Sequence, residues 1–88
     1  MKDDANSLLI ERVQGLLEEA LQVPREQVGV DLAFGDLPQW DSMGHMEVMM
    51  RLEEQFGIEI NNETIANLVS IPAICNYLEA QGNAHGVD

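Results

Sequence analysis

Basic residues are scarce. Lys2, Arg12, Arg25 and Arg51 stand against sixteen acids, which leaves a formal charge of −12 on 88 residues. Nucleic acid is excluded as a partner, because its phosphates would be repelled. An anionic membrane is excluded on the same ground. The acidic surplus keeps a small protein soluble, and it also steers partners with basic patches toward the chain. Cysteine occurs once, as Cys75. No internal disulfide can form, and within its apolar run the residue reads as a small core side chain. Aromatics are limited to Phe34, Trp40, Phe56 and Tyr77, so the core must rest on Leu, Ile, Val and Met. No apolar run approaches the roughly 18 residues of a membrane span. The opening MKDDANSLLIERVQ holds no hydrophobic signal core, and a cytoplasmic monomer is expected. The sequon Asn62-Glu63-Thr64 then reads as chance.

A chain this short is expected to form one domain, 1–88, with its core over about 7–80 and a frayed tail at 81–88. Such a domain buries only about 60–65% of its unfolded surface, which leaves little room for a deep catalytic cavity. From Ser7 to Val23, Leu8, Leu9, Val13, Leu16, Leu17, Ala20 and Leu21 recur with helical period. Asn6 or Ser7 is the expected cap, and Pro24 the expected stop. Residues 25–41 show no period and are punctuated by Gly29, Gly35 and Pro38. A loop of that length in a small domain is unusual and often functional. Val30, Leu32, Phe34 and Leu37 are expected to tether it, with Trp40 part-buried.

A second helix is expected over 42–56, capped by Asp41 or Ser42 and stopped at Gly57. At about 100° per residue its apolar side chains separate into two stripes. Val48, Met49, Leu52 and Phe56 form the core stripe. Met43, Met46 and Met50 form a second, with Glu47 and Glu54 beside them. A helix in a small bundle needs only one. Asn61 or Asn62 caps a short third helix around Glu63–Leu68. Ser70 caps a fourth, with Pro72 in its first turn, where a missing N–H costs little. No strand alternation or repeat is visible. The expected architecture is all-α, a four-helix bundle with a long first loop and a short third helix.

Ser42 heads the second stripe, and three readings of it compete. Asp41, Ser42 and His45 look like parts of a triad, and Ser42 and His45 stand i, i+3. A working triad, however, needs its acid on the far side of the imidazole, where Asp41 is poorly placed. No nucleophile elbow surrounds the serine either. His45 falls toward the core stripe, so local packing or hydrogen bonding is its expected role, with no catalytic residue. As a helix cap, the Asp-Ser pair is physically sound but leaves the second stripe unexplained. As an attachment point, an exposed serine at a helix N-terminus tolerates a phosphodiester. A methionine stripe beside it offers an adaptable surface to several partners. Metal binding finds no ligand set: the only histidines are His45 and His85, and Asp31, Asp36 and Asp41 do not fit a calcium loop.

The stretch DSMGHMEVMMRLEEQFGIEI resembles the D-S-L motif and second helix of acyl and peptidyl carrier proteins. LLIERVQGLLEEAL is similar to their first helix, and NNETIANLVSIPAICNYLE to their third and fourth, so the resemblance covers about residues 7–80. It implies that Ser42, in the motif with Asp41, receives a 4′-phosphopantetheine arm from coenzyme A through a phosphopantetheinyl transferase. It further implies a carrier that is not itself an enzyme. The arm's thiol holds acyl or aminoacyl groups as thioesters. A loading ligase, adenylating enzyme or acyltransferase charges it, and downstream synthase or tailoring enzymes receive the cargo. Matching positions give Met43, Met46, Glu47, Met50, Glu53 and Glu54 as the docking face.

Several residues depart from the fatty-acid carriers. Met43 replaces leucine, Gly44 stands where an acid is usual, Arg51 adds a positive charge, and Trp40 replaces a small residue. These departures point to a free-standing carrier of a polyketide, nonribosomal peptide or hybrid pathway. The alternatives are a fatty-acid-synthesis carrier, an unmodified helical binding module, and a small hydrolase using His45.

Overall fold

The computed structural model describes residues 2–81, with side chains from Ser7 onward. Four helices follow one another: α1, Lys2–Leu21; α2, Ser42–Phe56; α3, Asn62–Asn67; and α4, Ile71–Ala80. A 3₁₀ turn, Arg25–Gln27, interrupts the long first loop. Among the described residues no strand forms. The fold is the all-α bundle expected, and its boundaries differ in detail. The expected tail lies almost wholly in 82–88, outside the described residues.

Helix α1 begins before the cap positions expected for it. Both Asn6 and Ser7 lie inside the helix. Lys2–Asn6 contains no proline or glycine to oppose helical backbone. The other end comes early as well. The helix stops at Leu21, and Gln22 turns left-handed with φ 58°. Val23 lies beyond it and joins the core from the loop.

The remaining ends are set by their side chains. Asp41 caps α2, its Oδ1 accepting the Gly44 N–H at 2.9 Å, and Ser42 is the first helical residue. Gly57 closes α2 in the left-handed region, φ 70°, its N–H donating to the Glu53 carbonyl. Asn61 and Thr64 exchange bonds as a capping box at the head of α3. Ser70 caps α4 through the Ala73 N–H, with Pro72 in the first turn.

One core joins the helices. Leu9, Val13, Leu16 and Leu17 of α1 meet Val48, Met49, Leu52 and Phe56 of α2 and Ile71, Ile74 and Leu78 of α4. Cys75 is buried among them. Burial, with the Glu79 carboxylate adding to it, pushes its thiol up to about 11, so it is a packing residue and not a nucleophile. Leu8 falls on the outer side of α1 and is exposed.

Backbone and buried groups hold the first loop down more than the side chains expected to do so. Leu32 is buried and Leu37 half-buried, but Val30 and Phe34 are exposed. Val30 sits within a turn closed by the Leu32 N–H on the Gly29 carbonyl, 3.2 Å, which carries its side chain outward. Val28 does the tethering instead: it is buried, and its carbonyl accepts from the buried Gln14 Nε2 at 2.7 Å. Farther on, the Phe34 N–H donates to the Val69 carbonyl at 2.8 Å, and the Ile71 N–H to the Leu32 carbonyl at 2.9 Å. An antiparallel bridge between Ala33 and Ser70 lies between these bonds. The loop is thus stitched to the α3–α4 connection, beside the head of α2. Trp40, expected part-buried, has no exposed surface at all.

Candidate functional site

Ser42 is exposed at the head of α2. Asp41 consumes one of the helix's unpaired N–H groups, that of Gly44. Those of Ser42 and Met43 have no intrahelical partner, as at any helix start. Together with the helix dipole they make a place suited to an anion.

The two stripes of α2 separate as the spacing predicts. His45, Val48, Met49, Leu52 and Phe56 face inward. Met43 is 82% exposed, Met46 42% and Met50 51%. Glu53 and Glu54 are exposed on the same side, and no described arginine binds either carboxylate. Glu47 differs: its Oε2 takes the Arg51 Nε at 3.0 Å, while the Arg51 Nη1 reaches Glu19 of α1 at 3.3 Å. The positive charge that Arg51 brings is therefore neutralised where it stands, within a bridge from α2 to α1. Being largely exposed, such pairs add at most about 1 kcal/mol each. Of the other described arginines, Arg25 pairs with Glu18 and Arg12 lies over the Phe56 ring, 4.5 Å from its centroid. None of these contacts involves Ser42.

His45 belongs to a different arrangement from the triad its position suggests. Trp40 Nε1, which can only donate, lies 3.0 Å from His45 Nδ1. His45 Nδ1 is therefore the acceptor, and the ring's proton sits on Nε2, which donates to the Ile65 carbonyl at 2.7 Å. Both nitrogens are engaged, so neither is free to take the Ser42 proton. Asp41 binds its own helix start and not the imidazole. The ring is buried, and Phe34 meets it edge-on at 5.4 Å between centroids. Breaking either bond would leave a buried polar group unpaired, at about 1–3 kcal/mol each. His45 thus ties the loop to α2 and α2 to α3.

Beside Ser42 lies an open cleft of about 320 Å³, lined by Phe34, Ser42, His45, Met46, Ile65 and Val69. Its walls are mostly apolar. Phe34, Ile65 and Val69 were not singled out for the site from the sequence. Their relation to Ser42 depends on the stitching of loop to α3–α4 connection, which no local pattern reveals.

These residues suit a phosphodiester-linked arm: an accessible hydroxyl, two helix N–H groups for the anion, and an apolar cleft opening at the same side chain. The model of the phosphopantetheine attachment site family matches residues 11–78, from α1 through α4. The chain belongs to this family. It is a carrier protein, and it bears a covalently attached 4′-phosphopantetheine group. Similar proteins include the acyl carrier protein of Helicobacter acinonychis, 35% identical over 71 residues, which span 81% of this carrier and 91% of the relative. That of Thermosynechococcus vestitus is 29% identical over 72 residues, 82% and 89% of the two chains. That of Helicobacter pylori strain G27 is 34% identical over 71 residues, again 81% and 91%. Partners of such a carrier include a phosphopantetheinyl transferase and synthase enzymes. No helix among the carrier's described residues is long and apolar enough to cross a membrane. No described group of three or more His, Cys, Asp or Glu side chains could hold a metal.

Proposed function

We propose that Ser42 is the residue that bears the phosphopantetheine arm, and that this carrier moves acyl or aminoacyl groups between enzymes of a polyketide, nonribosomal peptide or hybrid pathway. The observation that carries the attachment is the place of Ser42: exposed at the head of α2, where the methionine stripe and the apolar cleft meet. In loading, Ser42 Oγ would bond to the phosphorus nearest the pantetheine of coenzyme A as the diphosphate linkage breaks, adenosine 3′,5′-bisphosphate would leave, and the serine proton would pass to a base of the transferase. Asp41 fixes the helix start and so the direction of Ser42. The N–H groups of Ser42 and Met43 face the phosphodiester that results. The arm's terminal thiol holds the cargo as a thioester. The carrier contributes no catalytic group of its own.

Met43, Met46 and Met50 form the docking face, with Glu47, Glu53 and Glu54 as its acidic margin. Flexible thioether side chains fit several partner surfaces, and exposed acids steer basic partners. Met46→Glu or Met50→Glu is expected to slow transfer to partner enzymes at least tenfold, with helix content by circular dichroism unchanged, because both side chains face solvent. Loss of the fold in either variant would contradict that assignment.

A place in fatty-acid synthesis is the second reading, and the plain name acyl carrier protein on the similar chains leaves it open. What favours a specialised pathway is the changed second helix and its approach, with Trp40 before the helix and Gly44 and Arg51 within it at positions where fatty-acid carriers differ. The attachment is tested by intact-protein mass spectrometry after incubation with coenzyme A, magnesium and a broad-specificity transferase. A single phosphopantetheine mass gain is expected on the unaltered chain and none on Ser42→Ala. No gain on either, with the transferase active on another carrier, would leave Ser42 a helix-start residue and the stripe a plain binding surface.

A further inference from the structure

Apart from Ser42 at its mouth, the cleft has one polar side chain in an otherwise apolar lining, the His45 ring. That ring is 5% exposed and bonded at both nitrogens. On one side stands Trp40, without exposed surface, and on the other the backbone of α3 at Ile65. The hydrogen bonds therefore run from the loop, through α2, to α3, across the inner end of the cleft. Behind His45 on the same face of α2 come Val48 and Leu52, at i+3 and i+7, both fully buried. In front of it the walls are Phe34, Met46, Ile65 and Val69, each keeping some exposure. No buried side-chain polar atom among the described residues lacks a partner, so this strut is complete before any cargo arrives.

We infer that the Trp40–His45–Ile65 strut is a cargo stop: an acyl group carried from Ser42 lies in the outer cleft against Phe34, Met46, Ile65 and Val69, and is barred from passing between α2 and α3 into the core. The inference rests on Ser42 as the attachment point. Entry past His45 would part α2 from α3 and strand three polar groups, the indole N–H, the imidazole and the Ile65 carbonyl, in apolar surroundings. An apolar chain brings no partner for any of them. A short acyl group fits the cleft in front of the strut, and the far end of a longer one returns to solvent. His45 and Trp40 thereby set the depth available to cargo, acting by position and without touching the thioester.

The test uses the full chain carrying the arm, loaded in turn with butanoyl, octanoyl and dodecanoyl groups and observed by ¹⁵N and methyl NMR. For the unaltered chain, the Ile65 and Val69 methyl signals are expected to shift with butanoyl and change little with longer groups. The Trp40 indole N–H and the Val48 and Leu52 methyls should stay within a linewidth throughout. Trp40→Phe keeps most of the ring volume but frees His45 to swing, and its Val48 and Leu52 signals should then shift progressively with chain length. His45→Asn is a second way to shorten the barrier, with the same expectation. A purely structural strut would lower stability in these variants without any dependence on chain length, and that result would overturn the stop. Length-dependent movement of the indole signal in the unaltered chain would overturn it directly, whether or not the variants fold. Failure of the chain to gain the arm would instead overturn the attachment, and the stop with it.

Discussion

Gly44→Ala is expected to lower the melting temperature by on the order of 10–25 °C, measured by thermal denaturation of the otherwise unaltered chain. A Cβ at Gly44 would stand 2.1 Å from the Gln39 carbonyl oxygen and 3.0 Å from Leu21 Cδ2. Reaching the 3.4 Å of ordinary contact means moving the Gln39 backbone by about 1.3 Å, the difference between the two distances. Gln39 precedes Trp40, whose carbonyl accepts from Gly35 and whose N–H donates to Leu37, so the shift pulls on the indole and its bond to His45. Overpacking of this kind costs about 1–3 kcal/mol, and loss of the buried Trp40–His45 bond about 1–3 kcal/mol more. Alanine's better helix propensity returns only about 1 kcal/mol. A net loss of about 1–5 kcal/mol, centred near ~3, is large against a typical total of about 5–15 kcal/mol. An unchanged or raised melting temperature would show that the loop does not press on α2. Gly44→Asp, which restores the acid usual in fatty-acid carriers, should be no milder, since it brings the same Cβ.

Trp40→Ala should remove more stability still. It deletes a side chain with no exposed surface from the junction of loop, α2 and α3, and it strands His45 Nδ1. Large aromatic-to-alanine changes in cores cost about 3–5 kcal/mol. The expected result in urea is a midpoint displaced by one molar or more, or no folded baseline, taking a slope of roughly 1–3 kcal/mol per molar. Trp40→Phe separates the two contributions. It keeps an aromatic in the space and loses only the donor, so its cost should fall near the 1–3 kcal/mol of one unpaired buried group. Equal midpoints for Trp40→Phe and the unaltered chain would mean that the indole bond to His45 contributes nothing.

What the sequence revealed and what it hid follow from the range of the interactions. Both stripes of α2 were legible, because helical backbone puts Val48, Met49, Leu52 and Phe56 on one side and Met43, Met46 and Met50 on another whatever the surroundings. The cap at Ser70 was legible for the same reason, and that at Asp41 as one of two candidates with Ser42: each bonds an N–H three residues on. The start of α1 was misplaced because Asn6 and Ser7 are good caps that the helix had no need to use. Gly44 read as a missing acid and proved to be a packing requirement, since the atom that demands it belongs to the loop backbone. His45 read as a residue packing or hydrogen bonding locally; it is buried, but its bonds are not local. Its two partners, five positions before it and twenty after it, are brought together only by the tertiary fold. The lining of the cleft by Phe34, Ile65 and Val69 was hidden for that same reason.

Cys75 bears on the security of the cargo. Thioesters pass readily to any neighbouring thiolate, and a carrier with a reactive sulfur of its own could discharge its load onto itself. Here the chain's single cysteine is buried in α4, with its thiol held near 11. At pH 7 only about one such group in ten thousand is ionised, and little of the side chain's surface is exposed. The arm's sulfur is left without an internal competitor, so the load can depart only to an enzyme that docks or to water.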